Sequence, residues 1–207
     1  MSDFGEYPQL PEDVQPVFKD LCQDLVSLHD KWRLYLDLFS NRHTVDLLDD
    51  VARASFQMVE ESLRSDVTMS ISRLSDERKS SAGGENLSIQ ALVDELPSIP
   101  DLKALWEDFH DKCKPLRRYR NKRIGHNDFD TALRPHDNPL PDIGRVQVDE
   151  ILKAASKLMK HVLTHFGGGE LGFERTCIGG GEDLIHWLKM AWECEQVKQR
   201  RLSGGMA

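Results

Sequence analysis

The sequence PEDVQPVFKDLCQDLVSLHDKWRLYLDLFS, residues 11–40, places apolar side chains in steps of three and four along its whole length. These side chains belong to Val14, Val17, Phe18, Leu21, Leu25, Leu28, Trp32, Tyr35, Leu36 and Phe39. Because an α-helix repeats every 3.6 residues, this spacing brings them to one face. The stretch therefore predicts one amphipathic helix, about 45 Å long at 1.5 Å per residue.

A second long helix is predicted to follow at once. Asn41 or Thr44 can cap its start, and its apolar stripe runs from Val45 to Leu74. SSAGGEN, residues 80–86, has the composition of a loop and ends this helix. Two helices of this length in one small domain usually pack antiparallel in a bundle.

Four further helices are predicted in the rest of the chain. They cover Ser88–Leu96, a stretch from Asp101 to about Gly125–Asp128, Ile151–Phe166, and an extra C-terminal helix from Glu182. No stretch alternates polar and apolar residues as a strand does. The sequence thus predicts an all-α antiparallel helical bundle in which residues 1–207 form a single domain, with a core at about residues 12–195.

The composition excludes several classes of protein. Of the 207 residues, 39% are apolar and 30% are charged, which is typical of a globular helical protein and not of a disordered chain. No apolar run approaches the roughly 20 residues that span a bilayer, and the N-terminus lacks the features of a secretory signal. The four cysteines form no CxxC pair, which favours reduced thiols. We therefore expect a cytoplasmic protein without membrane contact.

Charge is distributed unevenly along the chain. The formal net charge of −8 argues against a nonspecific nucleic-acid-binding protein. Yet KCKPLRRYRNKR, Lys112–Arg123, contains seven basic residues and no acidic residue, whereas the remaining chain has 20 basic and 35 acidic residues. We call Lys112–Arg123 the basic segment. It is expected to attract polyanions to one place on an otherwise acidic protein.

Two motif-like patterns favour ordinary structural interpretations. Gly167, Gly169 and Gly172 match GxGxxG, but a dinucleotide-binding motif follows a strand, whereas these glycines follow a helix and indicate its end. His161 and His165 have the spacing of a metal-binding pair, but no acidic third ligand lies near them in the sequence. We therefore predict neither a metal nor a cofactor.

Arg120 is the basic residue that is hardest to explain as surface charge. On a helical wheel, the apolar stripe of the fourth helix continues onto it. A guanidinium that faces inward is costly unless it meets an anion or a partner. His126 lies about 120° from Arg120 around a straight helix. The two side chains therefore converge only if Gly125 loosens the turn or a twofold-related subunit supplies the second group.

The segment RNKRIGH, residues 120–126, resembles the signature of the HEPN superfamily, in which an Arg and a polar residue precede a His by a few positions. The resemblance is closest to the abortive-infection-linked HEPN branch. It covers LRRYRNKRIGHNDFDTAL at residues 116–133, NLSIQALVDEL before it and VDEILKAASKLMKHVLTHFGG after it. Altogether the likeness extends over about residues 12–195.

This resemblance implies a helical fold that dimerises through the motif helices and acts as a metal-independent endoribonuclease. Many such proteins are toxins or antiphage effectors, so an antitoxin protein is an expected partner beside RNA. On this analogy Arg120 and His126 are the catalytic pair and Asn121 is a polar helper that orients the phosphate or the imidazole. The residues expected to hold flanking phosphates of RNA are Lys114, Arg117, Arg118, Lys122 and Arg123.

The expected reaction is attack of a ribose 2′-hydroxyl on the adjacent phosphate, with His126 as general base or acid. Arg120 would stabilise the charge that develops on the phosphoryl oxygens. Two other interpretations stay open at this point. One is a non-catalytic HEPN module that binds RNA, a nucleotide or an acidic partner in its basic cleft, and the other is a purely structural helical dimer.

Overall fold

The computed structural model describes residues 10–80, 83–124, 144–168, 172–173 and 180–204. Within these ranges the chain forms helices and no strand. They are α1 (Gln15–Phe39), α2 (Arg42–Leu74), α3 (Ile89–Glu95), α4 (Leu102–Tyr119), a π-helical turn (Arg120–Ile124), α5 (Arg145–His165) and α6 (Gly181–Gly204). The predicted all-α fold class is confirmed, including the two long N-terminal helices and the extra C-terminal helix.

The junction between α1 and α2 is capped as the sequence suggests. Asn41 Oδ1 accepts the backbone N–H of His43 at 2.8 Å, so Asn41 is the capping residue of the two candidates. α2 then continues for 33 residues, interrupted at Ala52, whose φ and ψ of −162° and 65° are not helical. The sequence predicted the extent of α2 but not this interruption.

The end of α5 explains the GxGxxG pattern. Gly167 has a φ of +72°, its N–H donates to Thr164 O at 3.0 Å, and the N–H of Gly168 donates to Leu163 O at 2.9 Å. These two bonds define a Schellman motif, which ends a helix with a left-handed residue. The interpretation of Gly167 as a helix end is confirmed, whereas Gly169 lies outside the described residues.

The described residues divide into two compact units, one built from residues up to 29 and from 65 to 173, the other from residues 30–64 and from 180 onward. α4 packs against α5 in the first unit. Its core includes Phe18, Leu21 and Leu25 of α1, Phe109, Cys113 and Leu116 of α4, and Leu158, Met159 and Val162 of α5. That the whole chain forms one domain stays a prediction. No described helix is both long and apolar enough to cross a membrane.

Candidate functional site

The helical geometry of α4 changes where the motif begins. α-Helical hydrogen bonding ends at Tyr119, and Arg120–Ile124 form the π-helical turn. Pro115 lies inside α4 and has no backbone N–H, so one hydrogen bond of the helix is missing shortly before this turn. The change begins at Arg120, whereas Gly125, one of the two alternatives that the sequence left open, lies outside the described residues. π-Helical turns occur frequently at functional sites.

Arg120 faces inward, as the helical wheel predicts, and meets an anion there. Its Nη1 and Nη2 donate to the two carboxylate oxygens of Asp76 at 3.0 and 3.1 Å. Its Nε donates to Asn121 Oδ1 at 2.9 Å. A guanidinium has five N–H groups, and the other two bond to none of the described residues. Arg120 is therefore held in one orientation and can still donate to a further acceptor.

Two arginines of α4 are anchored to consecutive residues at the end of α2. Arg117 Nη1 donates to the backbone oxygen of Ser75 at 3.0 Å, and Arg120 binds Asp76, the next residue. The N–H of Ser75 bonds back to Ile71 O at 3.0 Å, so the anchor continues the hydrogen bonding of α2. Arg117 is half-buried for this reason.

A cleft of about 760 Å³ lies beside these contacts, within the roughly 300–1,000 Å³ that is usual for ligand sites. Six cations line it: Lys79, Lys114, Arg117, Arg118, Arg120 and Lys122. The other lining residues are Asp76, Glu77, Ser80, Asn86 and Asn121. Since the cations outnumber the carboxylates, the cleft favours an anionic ligand.

The structure brings six of the eight predicted site residues together in this cleft. The two others are His126, which lies outside the described residues, and Arg123, of whose side chain nothing is described. That Arg120 and His126 meet stays a prediction. Asn121 was expected to orient the phosphate or the imidazole, and the structure shows that its Oδ1 orients Arg120.

Sequence reasoning missed Asp76 and Lys79. The wheel indicated that Arg120 needs an anion, but Asp76 lies 44 residues upstream and many carboxylates lie between them. One signal was present, because Asp76 is the first acidic residue after the apolar stripe of α2 ends at Leu74. For Lys79 the sequence offers no comparable signal.

Two other titratable side chains of α4 are Cys113, which is buried, and His110, which is half-buried. Burial raises the pKa of the Cys113 thiol to about 12, so this thiol stays protonated at neutral pH and is a poor nucleophile. Burial, followed by the charge of Arg117, lowers the pKa of His110. The Nε2 atom of His110 is buried without a hydrogen-bond partner in the described part of the chain. Neither group lines the cleft.

His161, one of the two histidines with metal-pair spacing, makes an ordinary structural contact. His161 Nε2 forms a hydrogen bond with the backbone oxygen of Pro100 at 2.8 Å. Across the residues described here, no three His, Cys, Asp or Glu side chains are grouped so as to hold a metal ion. The spacing of His161 and His165 therefore follows from their positions on α5, and no third metal ligand accompanies them among the described residues.

Comparison with known families places these residues in a wider group. The HEPN family model described as AbiU2 matches residues 11–177, which include α1 to α5 and every residue that lines the cleft. No curated protein and no solved structure matches the chain. Because the matched range is well over half of the sequence, the chain belongs to the AbiU2 family, in the abortive-infection-linked branch of the HEPN superfamily.

Proposed function

We propose that this protein is a metal-independent endoribonuclease of the toxin or antiphage type. The ribose 2′-oxygen attacks the adjacent phosphorus, the bond from phosphorus to the 5′-oxygen breaks, and a 2′,3′-cyclic phosphate and a 5′-hydroxyl form. A base takes the proton of the 2′-hydroxyl, and an acid returns a proton to the departing 5′-oxygen. The atoms of this step balance without a water molecule or a metal ion.

The fixed orientation of Arg120 is the observation that carries this proposal. Asp76 and Asn121 use three N–H groups of the guanidinium, and the two others bond to none of the described residues, so a ligand in the cleft can accept from them. A cation that is oriented before the substrate binds needs no reorganisation when charge develops on the phosphoryl oxygens. Its forked N–H groups also match the geometry of those oxygens. Asp76 then acts as a positioning residue.

His126 is the proposed base and acid. An imidazole titrates near neutral pH, so it can accept a proton in one step and donate it in another. The cations of the basic segment precede His126 in the sequence, and nearby cations favour the neutral imidazole that a base requires.

The proposed substrate is RNA, and the proposed assembly is a homodimer. Lys114, Arg118 and Lys122 would contact phosphates on either side of the cleaved linkage, so that binding weakens as salt is added. Two copies that pair through their motif helices would bring a second Arg120 and His126 to a shared cleft. An antitoxin protein is the expected antagonist of such an enzyme.

The first experiment compares an RNA oligonucleotide with DNA of the same sequence, both incubated with the protein in EDTA. Only RNA carries the 2′-hydroxyl nucleophile, so we expect cleavage of RNA alone. Mass spectrometry should find 2′,3′-cyclic phosphate ends. Equal cleavage of the RNA and the DNA oligonucleotide contradicts the proposal, and so does cleavage that is lost when EDTA is added.

A variant pair tests the role of His126. His126→Ala should lower the cleavage rate by about 10² to 10⁴, the usual contribution of a general acid or base, and should keep the affinity for a non-cleavable 2′-O-methyl RNA. The matched control is His43→Ala, which removes an exposed histidine near the start of α2. The control should cleave RNA at the wild-type rate.

A non-catalytic RNA-binding module is the second candidate, and one observation favours it. The carboxylate of Asp76 already pairs with two N–H groups of the Arg120 guanidinium, in the way that a bound anion would. In that case the wild-type protein binds RNA without cutting it, and His126→Ala changes little.

A further inference from the structure

The cations that line the cleft differ in what they already contact. Arg117 and Arg120 are bound to the end of α2, and Lys114 forms an ion pair with a carboxylate of α4 at 2.7 Å. Arg118 and Lys79 line the same cleft, but their side chains form no hydrogen bond or ion pair with any residue that the structure describes. These two charges are therefore available to a ligand.

The two available cations lie on different elements. Arg118 is exposed on α4, within the basic segment, and Lys79 is exposed in the loop that joins α2 to α3. As far as the described residues show, the cleft thus has a cation without an ion pair on both elements that form it. A linear polyanion can use successive phosphates to contact cations on both elements.

The loop that carries Lys79 is held by its own backbone. An antiparallel bridge pairs Lys79 with Glu85. The N–H of Asn86 donates to Arg78 O at 2.7 Å, and the Asn86 side chain donates to Glu77 O at 2.8 Å. Since both arms of the loop are joined, Lys79 is presented to the cleft from a fixed backbone.

Arg78 pairs with two carboxylates, and one of them belongs to Glu85, the bridge partner of Lys79. The Arg78 guanidinium pairs with Glu95 at 2.7 Å and with Glu85 at 3.4 Å. The backbone N–H of Arg78 donates to Gln90 Oε1 at 3.0 Å. These contacts fasten the loop to α3. Glu85 is the bridge partner of Lys79 in the backbone, but its carboxylate pairs with Arg78, and among the described residues Lys79 forms no ion pair.

We infer that Lys79 binds a backbone phosphate of RNA lying in the cleft, while Arg118 binds another phosphate of the same strand. Among the residues that the structure describes, no ion pair has to break when these contacts form. This inference rests on the proposed function only for the identity of the ligand as RNA.

The test measures affinity for a non-cleavable 2′-O-methyl RNA over a series of salt concentrations. Removing one phosphate contact should reduce the slope of log K against log salt by about 0.7, the value for a single strand. For Lys79→Ala we also expect the Kd to rise about two- to fivefold near 0.1 M salt. Lys79→Arg should restore both values.

The matched control is Lys157→Ala, which removes an exposed lysine of α5 that does not line the cleft. It should leave the slope unchanged. Lys79→Gln is a second variant in case Lys79→Ala fails to fold, and the thermal midpoint of each variant verifies folding. If both variants fold and keep the wild-type slope, the inference is overturned. The same result is expected if Lys79 binds an acidic protein and not RNA.

The outcomes separate this inference from the nuclease proposal. Cleavage of RNA by the wild type together with an unchanged slope in Lys79→Ala overturns the phosphate contact and leaves the nuclease standing. Absence of cleavage together with a reduced slope overturns the nuclease and supports the phosphate contact.

Discussion

The first compact unit buries its large apolar side chains, whereas the second leaves many of its own exposed. Of the nine large apolar side chains that are exposed among the described residues, seven belong to the second unit. They are Val51, Met58 and Val59 on α2 and Leu184, Trp187, Met190 and Val197 on α6. Among the described residues of the second unit, the buried apolar side chains are Trp32, Leu38 and Leu48.

This difference shows where the chain obtains its stability. Removal of apolar surface from water is the main favourable contribution to folding. The first unit should therefore provide most of the free energy of unfolding. It also holds the cleft, so the orientation of Arg120 rests on the better packed part of the molecule.

The largest expected effect comes from a core deletion in the first unit. Phe109 of α4 is 1% exposed, so Phe109→Ala should lower the free energy of unfolding by about 3–5 kcal/mol. Trp187 is 65% exposed in the second unit, and Trp187→Ala should change it by less than about 0.5 kcal/mol. Urea denaturation followed by circular dichroism measures both. Similar losses in the two variants contradict the comparison.

The next effect concerns an ion pair in each unit. The side chains of Arg120 and Asp76 are 20% and 24% exposed, so Asp76→Ala leaves a largely buried guanidinium unpaired. We expect a loss of about 1–3 kcal/mol in unfolding free energy. In the second unit, Glu182 is 80% exposed where it pairs with Arg33, and Glu182→Ala should cost less than about 1 kcal/mol.

Asp76→Asn separates positioning from stability. It keeps one oxygen for Arg120 and removes the charge, so it should fold better than Asp76→Ala. If Asp76 positions Arg120 for catalysis, kcat falls in both variants while KM changes little, because the flanking phosphate contacts remain. A wild-type kcat in Asp76→Asn would mean that the carboxylate is needed for folding alone.

Much of the fold was predictable because helical periodicity is a local property of the sequence. The apolar steps of α1 and α2, the Asn41 cap and the end of α5 at Gly167 all follow from neighbouring residues. The interruption at Ala52 has no such signal, since alanine favours a helix. The division into two units also depends on contacts between distant segments, which periodicity does not contain.

Only the part of the site that belongs to the basic segment was predictable. The density of cations and the inward position of Arg120 can be read from residues 112–123. Asp76 and Lys79 belong to the other side of the contact, and their approach depends on how α2 and its loop pack against α4. A wheel can show that an arginine needs an anion, but tertiary packing selects which one.

A smaller effect tests whether the two units differ in backbone constraint as well as in burial. Gly167 has a φ of +72°, so Gly167→Ala in the first unit should cost about 1 kcal/mol. In the second unit, a Cβ at Gly181 would stand 2.5 Å from the Cβ of Asp37, and Gly181→Ala should cost at least about 1 kcal/mol. Gly84→Ala, with open space around it, is the control. If only one of the two variants loses unfolding free energy, the two units differ in backbone constraint as well as in burial.

The smallest expected effect is a pH dependence located in the first unit. Burial lowers the pKa of His110 below its ordinary 6.5, and the charges of Arg117 and Lys114 act in the same direction, against Asp111 and Glu77. The unfolded chain therefore binds a proton more readily than the folded chain between that lowered pKa and about 6.5. The contribution of His110 to stability is complete above about pH 6.5 and is lost as the pH falls through the folded pKa.

Urea midpoints measured from pH 7.5 downward for the wild type and for His110→Gln should differ in their pH slope. His186→Gln, at an exposed position of the second unit, is the control for a histidine-to-glutamine change as such. A common slope in the wild type and His110→Gln would remove His110 as the source, because a neutral side chain at that position has no proton to exchange.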